Sequence, residues 1–141
     1  MKLNSMEEMF VSIPPTEKGL TAQLKLEVPA GKEIVQVRAP VPFSLDLAPV
    51  SGLATITKSS PSTGIREGDV LRYCSQFTMG LPRGDGIITT VGSFGGAIGW
   101  QCSLFNVKNA RKWEEVVEAL VSNDESRTDY CLMLFERDKE E

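Results

Sequence analysis

Few residues in this chain of 141 could carry out chemistry, and their spacing favours no active site. The sequence contains no histidine, so the commonest general base and the commonest metal ligand are both missing. Carboxylates occur at Glu67, Asp69 and Asp85, but each lies in a stretch where a turn accounts for an acidic residue. The run Lys58-Ser59-Ser60 could supply a lysine base and a serine nucleophile, although it too lies in a turn-rich connection. We therefore expect no enzymatic activity and no catalytic residue.

The three cysteines, Cys74, Cys102 and Cys131, stand far apart and form no C-x-x-C pair. A sparse, odd set of this kind is typical of buried thiols in a reducing compartment. Three scattered thiols without histidine cannot easily supply the four ligands of a zinc site. We therefore expect neither a metal site nor a cofactor.

Two short motifs resemble known binding sequences. Residues 83–85 read Arg-Gly-Asp, which we interpret as a chance tripeptide in a loop. The run GSFGGAIGW at residues 92–100 is as glycine-rich as a phosphate-binding loop, but no Lys-Ser/Thr pair and no helix follow it. It more simply indicates backbone that passes close to another surface.

Composition places the chain among ordinary globular domains, with 41% apolar and 24% charged residues. The 15 basic and 19 acidic residues give a net charge of −4 without a basic stripe, so we expect no nucleic-acid partner. No apolar run approaches the roughly 18 residues of a membrane span, so no transmembrane segment is expected. The opening MKLNSMEEMF lacks the apolar region of a secretory signal, and none is expected.

Alternation of apolar and polar residues predicts strands along most of the chain. In the segment APVPFSLDLAPV, Phe43, Leu45 and Leu47 share one face of such a strand, and Ser44 and Asp46 share the other. The remaining stretches with a strand pattern are QLKLEV, IVQVR, GLATIT, VLRYCSQF, GIITTV, WQCSLFNV and YCLMLFER.

One segment, NARKWEEVVEALVSN, has the period of an amphipathic helix, with Asn109 expected as its N-cap. Its apolar residues at i, i+3, i+4 and i+7 form one stripe of Trp113, Val116, Val117 and Leu120. The chain is therefore predicted to be mainly β with one principal helix, in the α+β class. We expect a small β-barrel or sandwich that is capped by this helix and carries a long glycine-rich insertion.

We divide the chain into an extended N-terminal arm at residues 1–22, a domain at residues 23–138, and an acidic tail at residues 139–141. The domain carries the glycine-rich insertion at residues 78–99. The double proline of the arm favours an extended path, and we expect arm and insertion to reach a partner. The residues expected to contact that partner are Phe10, Ile13, Pro14, Phe94 and Trp100.

Three pieces in order, GIREGDVLRYCSQF, WEEVVEALVSN and YCLMLFER, resemble a PDZ domain over about residues 33–138. In that family a Gly-Asp turn opens the central strand, a helix flanks a peptide groove, and a final strand closes the barrel. The helix and last strand most resemble those of PDZ-like proteins from plant and algal plastids. The resemblance implies a location at the stromal side of the thylakoid membrane.

The resemblance also implies a groove that binds a peptide as an added strand. The carboxylate-binding loop would be Pro42-Phe43-Ser44-Leu45, with the basic residue Arg38 nearby, and Trp113 and Val117 would face the groove. Ser44 stands where the family has glycine, and Pro42 lacks a backbone N–H. Whether the groove takes a free carboxyl terminus therefore stays open, as does a plain core role for each apolar residue.

From these features we expect a non-catalytic protein-protein interaction module. More specifically, we expect an accessory or linker subunit that binds at the periphery of a thylakoid photosystem–antenna supercomplex. The alternative is a soluble PDZ adaptor or assembly factor that binds peptide carboxyl termini by strand addition.

Overall fold

The fold was obtained as a computed structural model, which describes residues 4–14, 20–79, 87–88 and 100–139. Within these ranges the chain forms nine strands, one α-helix and one 3-10 turn at Val107–Asn109. The prediction of a mainly β, α+β chain with one principal helix is confirmed. In order, the strands and helix are β1 (Ser5–Ile13), β2 (Leu20–Val28), β3 (Lys32–Pro40), β4 (Leu47–Val50), β5 (Leu53–Ile56), β6 (Val70–Met79), β7 (Ile87–Ile88), β8 (Trp100–Asn106), α1 (Trp113–Val121) and β9 (Tyr130–Asp138).

The main sheet is antiparallel, and its path runs β3-β9-β6-β5-β4. The register of β6 and β9 shifts between Leu71 and Tyr73, and beyond that point β6 pairs with β8, which in turn pairs with β7. In the part of the chain that the structure describes, β3 and β4 do not pair with each other. The sheet is therefore open there, and the expected barrel is not closed.

The first two strands form a separate layer. β1 and β2 pair antiparallel from Ser5 and Val28 to Ile13 and Leu20. The inward side chains of this hairpin, including Val11 and Ile13 at 1% exposure, pack on apolar residues of β6, β8 and β9. Each such burial contributes about 1.5–3 kcal/mol relative to exposure. The arm boundary predicted after residue 22 falls inside β2, since the hairpin forms one layer with residues on both sides of it.

The helix covers the opposite face of the sheet. Val116, Ala119 and Leu120 of α1 pack against Leu71 and Phe135 in a second apolar cluster. The described residues thus form three layers, the hairpin, the sheet and the helix. The apolar stripe predicted for the helix is divided between two environments, because Val116 and Leu120 are buried while Val117 is 41% exposed.

The helix begins later than the sequence predicts. Asn109 is not the N-cap, because it ends the 3-10 turn. Asn106 caps that turn, since its side-chain oxygen accepts a hydrogen bond from the backbone N–H of Lys108 at 3.2 Å. The N-cap position of α1 is Lys112, which makes no side-chain cap bond. Glu114 and Glu115 in the first turn stabilise the positive end of the helix dipole instead.

The end of the helix is fixed to β6 by two polar side chains. The amide of Asn123, a buried residue, donates to the carbonyl of Ser75 at 2.8 Å and accepts from the Ser75 hydroxyl at 2.8 Å. The hydroxyl of Ser122 accepts from the backbone N–H of Phe77 at 2.9 Å. Because these bonds cross from helix to strand, they set the position of α1 over the sheet.

The Gly68-Asp69 turn is held by a buried ion pair. The carboxylate of Asp69 accepts hydrogen bonds from the Arg137 guanidinium at 2.6 and 3.0 Å and from the backbone N–H of Arg66 at 2.9 Å. Gly68 has φ +93°, a conformation that side chains disfavour. The acidic residue of this turn therefore joins the connection before β6 to the last strand.

Candidate functional site

A cavity of about 330 Å³ lies between the loop before β4 and the exposed side of α1. Four of the residues that the sequence assigned to a binding groove line it: Phe43, Leu45, Trp113 and Val117. The other lining residues are Pro42, Leu47, Leu120, Val121 and Asn123. We call this cavity the β4–α1 groove.

The floor and one wall of the groove are formed by alternating residues. Phe43, Leu45 and Leu47 are half-buried and pack toward the helix-side cluster, whereas Ser44 and Asp46 between them are exposed. The face predicted for this segment is confirmed. Although residues 43–46 lie before the strand begins, they continue its alternation, so the apolar surface extends beyond β4.

The opposite wall is formed by α1. Trp113, Val117 and Val121 follow one another at i, i+4 and i+8 and therefore lie on one side of the helix. Val117 and Val121 are 41% and 70% exposed, although both are apolar. Exposed apolar surface that continues across two elements marks binding sites more often than ordinary surface.

β4 is an edge strand of the described sheet, and its free main-chain groups can be located from its register. Leu47 is opposite Ile56, whose N–H and C=O both bind residues before β6, at Asp69 and Gly68. In an antiparallel pair, residues that do not bond each other turn both groups away from their partner. Leu47 therefore turns its N–H and C=O outward, to the open edge. Leu45, two residues earlier, does the same because the backbone N–H of Thr57 bonds the intervening Asp46.

The loop at one end of the groove presents further donors. No hydrogen bond between described residues uses the backbone N–H of Phe43, Ser44 or Leu45, whereas that of Val41 donates to the Asp129 carbonyl at 3.3 Å. Ser44 does not have a positive φ, since Ser51 is the one non-glycine residue with such a φ in the described ranges. The loop thus has unbonded backbone donors at Phe43, Ser44 and Leu45, although it contains no glycine.

The groove is electrically neutral. None of the residues that line it is charged, and Asn123 is the polar side chain among them. Arg38, assigned to the carboxylate end by the resemblance, alternates with Val37 and Ala39, which face the helix. It therefore lies on the hairpin face of the sheet, where its guanidinium carbon is 5.8 Å from the centroid of the Tyr130 ring. Arg38 is not part of the groove.

The residues expected to contact a partner through arm and insertion lie in different surroundings. Phe10 and Trp100 are 70% and 41% exposed, and the Trp100 ring stacks on the guanidinium of Arg127 at 3.7 Å. Ile13 and Pro14 are buried, so neither offers its side chain to a partner in this conformation. Phe94 falls outside the described residues.

The three cysteines are buried, as the sequence predicts, and none of them forms a disulfide. Burial raises the pKa of the Cys131 thiol to about 12 and that of Cys74 well above its usual value. Both are therefore neutral at physiological pH, and neither can act as a thiolate nucleophile or ligand. The described residues contain no cluster of side chains that could hold a metal ion. No helix among them is long and apolar enough to cross a membrane.

Four residues that line the groove were not predicted from the sequence to belong to it: Leu47, Leu120, Val121 and Asn123. A signal existed for Val121, because it continues the spacing of four residues from Trp113 and Val117. Asn123 carried no such signal, since its place depends on the contact between α1 and β6.

No protein-family model, curated protein or solved structure matches this chain. The function is therefore inferred from the geometry of the β4–α1 groove and from the resemblance of the sequence to PDZ domains.

Proposed function

We propose that this chain is a non-catalytic protein-interaction module that binds an extended peptide segment in the β4–α1 groove. One observation carries the proposal: the open edge of β4, with the main-chain groups of Leu45 and Leu47 turned outward, lies beside the apolar wall of α1. A peptide in this position pairs with β4 as an added strand and inserts alternate side chains against Trp113 and Val117. This is the recognition mode of the PDZ domains that the sequence resembles.

The expected affinity follows from the size of the groove. A cavity of about 330 Å³ accommodates one or two apolar side chains, each of which contributes about 1.5–3 kcal/mol on burial. The few added main-chain hydrogen bonds contribute about 0.5–1.5 kcal/mol each. Because ordering the peptide offsets part of this gain, we expect dissociation constants of about 1–100 μM.

The test is selection from a library of random eight-residue peptides with free carboxyl termini, followed by fluorescence polarisation with the selected peptides. Val117→Glu places a charge on the exposed wall of the groove and should weaken binding at least about tenfold, since a buried charge without a partner is costly. Gln36→Glu adds the same charge to the exposed face of β3 and serves as the matched control. Equal binding by the two variants would place the peptide elsewhere and refute the proposal.

A free carboxyl terminus is the ligand favoured by the loop. The unbonded N–H groups of Phe43, Ser44 and Leu45 belong to the loop at one end of the groove, where a terminal carboxylate of an added strand would lie. Amidation of the selected peptide removes that charge and should reduce affinity about tenfold or more, because hydrogen bonds to charged groups are the stronger ones. Unchanged affinity would assign the groove to internal peptide segments.

The partner class rests on the resemblance to plastid proteins. It suggests an accessory or linker subunit on a photosystem–antenna assembly, or else a soluble adaptor of such an assembly. Affinity capture from solubilised thylakoid membranes distinguishes the two. Stable capture of a pigmented complex by the wild-type protein, lost in Val117→Glu, supports a subunit held through the groove. If capture of the complex is lost only in Phe10→Glu, the contact lies on the β1–β2 hairpin.

A further inference from the structure

We propose that Pro49 weakens the hydrogen-bond ladder between β4 and a bound peptide beyond the last four residues of the ligand, because it offers an acceptor there but no donor. This inference rests on the proposed function, with the peptide carboxylate at the loop of Phe43–Leu45. It assigns to Pro49 the setting of ligand length, a role that its side chain, outside the groove, would not suggest.

The register of the β4–β5 hairpin gives the orientation of Pro49. The turn is formed by Ser51 and Gly52, both with positive φ, and Val50 and Leu53 pair across it. In a two-residue turn of this kind the closing pair exchanges hydrogen bonds. The next pair, Pro49 with Ala54, therefore turns its main-chain groups away from each other.

The same orientation follows from the other end of the hairpin. Leu47 faces outward because Ile56 bonds toward β6, and residues two apart in a strand point the same way. The open edge of β4 and its loop thus offers three successive outward positions, at Leu45, Leu47 and Pro49. The first two have an N–H and a C=O, whereas Pro49 has a C=O alone, since proline lacks the N–H.

The outward positions of β4 determine which ligand residues can form main-chain hydrogen bonds. Successive outward residues of an antiparallel strand face ligand residues that are also two apart. If the last ligand residue lies opposite Leu45, the third from the end faces Leu47 and the fifth faces Pro49. The carbonyl of that fifth residue finds no donor on β4 and stays with water. The N–H of the fifth residue can still donate to the Pro49 carbonyl, so one of the two hydrogen bonds of this pair is lost.

Proline on an edge strand also prevents pairing between copies of a chain. Pro49 is exposed at an edge of the described sheet, so this role follows from the same missing donor. The two roles differ in what a restored donor does. If Pro49 protects the edge, restoring its N–H should cause the protein to self-associate. If Pro49 interrupts the ladder, restoring the N–H should increase the affinity for longer peptides.

The experiment compares wild type with Pro49→Ala and Pro49→Thr, two variants that restore the N–H with different side chains. The probes are the terminal four residues of a selected peptide and the same four preceded by four alanines, both with free carboxylates. Wild type can gain from the four alanines only the one hydrogen bond to the Pro49 carbonyl. Both variants should bind the longer peptide about twofold to tenfold more tightly, as one added neutral hydrogen bond predicts. Their affinity for the shorter peptide should not change.

Pro61→Ala, in an exposed turn, controls for the general effect of removing a proline, and thermal unfolding verifies that each variant is folded. Variants that gain no more affinity from the four alanines than wild type does would overturn the inference, as would variants that self-associate without the length-dependent gain. Either result leaves the proposed function intact. Failure of wild type and variants to bind any selected peptide would instead overturn the proposed function together with this inference.

Discussion

The ion pair between Asp69 and Arg137 should be among the most sensitive points of the fold. Asp69 is 2% exposed, and its two carboxylate oxygens accept three hydrogen bonds, two from Arg137 and one from the backbone of Arg66. Asp69→Asn keeps the size of the side chain but removes its charge. It also replaces one acceptor oxygen by an NH₂ group. In either orientation of the amide, this NH₂ group faces an N–H donor of Arg137 or Arg66.

The loss in the free energy of unfolding follows from these contacts. Removing one partner of a buried ion pair costs about 3–5 kcal/mol, because the other charge stays buried without compensation. The side chain of Arg137 is 11% exposed, so water reaches its charge poorly. Arg137 keeps one further bond, to the carbonyl of Gly64 at 2.9 Å. We therefore expect Asp69→Asn to lower the free energy of unfolding by the lower end of that range, about 3 kcal/mol.

Urea unfolding at neutral pH, followed by tryptophan fluorescence, measures this loss. The matched control is Asp138→Asn, which breaks the pair with Lys32 at the end of the last strand. Because those side chains are 83% and 37% exposed, the control should lose less than about 1 kcal/mol. A loss of less than 1 kcal/mol in Asp69→Asn, or equal losses in the two variants, would refute the account of the Gly-Asp turn.

Two further predictions concern the thiols and a turn. Burial raises the folded-state pKa of Cys131 to about 12, whereas the unfolded-state pKa is about 9. The neutral thiol therefore contributes its full stability below about pH 9, and this contribution is lost as the pH rises toward the folded-state pKa. The free energy of unfolding, measured in urea across this window, should therefore fall above about pH 9, and a constant value would contradict the burial of the thiols. Gly52→Ala should cost about 1 kcal/mol in thermal unfolding, because φ is +78° and no atom lies within 4 Å of the added Cβ. A neutral result would show that the turn adopts another conformation.

Most strands could be predicted because their alternation is strict or their apolar run is continuous. β2 alternates from residue to residue, and the first six residues of β9 are all buried. β1 was missed for a physical reason. Its inward residues are Met9, Val11 and Ile13, but Met6 and Phe10 on the outward face are apolar too and obscure the period.

The groove could be predicted in part. The alternation of Phe43, Leu45 and Leu47 indicated one wall, but the helix stripe did not reveal that Val117 would be exposed while Val116 was buried. That division depends on where α1 rests on the sheet, which is set by contacts distant in sequence. Arg38 was misplaced although the alternation of IVQVR already separated it from Val37. The family resemblance implies a position beside the groove, whereas the strand period gives the face on which Arg38 lies.

The orientation of main-chain groups could not be obtained from the sequence. It depends on the pairing of Leu47 with Ile56 and of Pro49 with Ala54, and therefore on the register of β4 and β5. A shift of one residue would turn Leu47 inward and remove the donors on which strand addition depends.

The most direct test of the proposed function is amide hydrogen exchange of the protein, measured by NMR with and without a saturating selected peptide. Strand addition predicts that exchange at Leu45 and Leu47 slows at least about tenfold, since these amides gain hydrogen bonds from the ligand. The amide of Ala48 already faces β5 and serves as the internal control. Slowed exchange at Leu45 and Leu47 with Ala48 little changed would support peptide binding along β4. Binding that leaves Leu45 and Leu47 unprotected would contradict it.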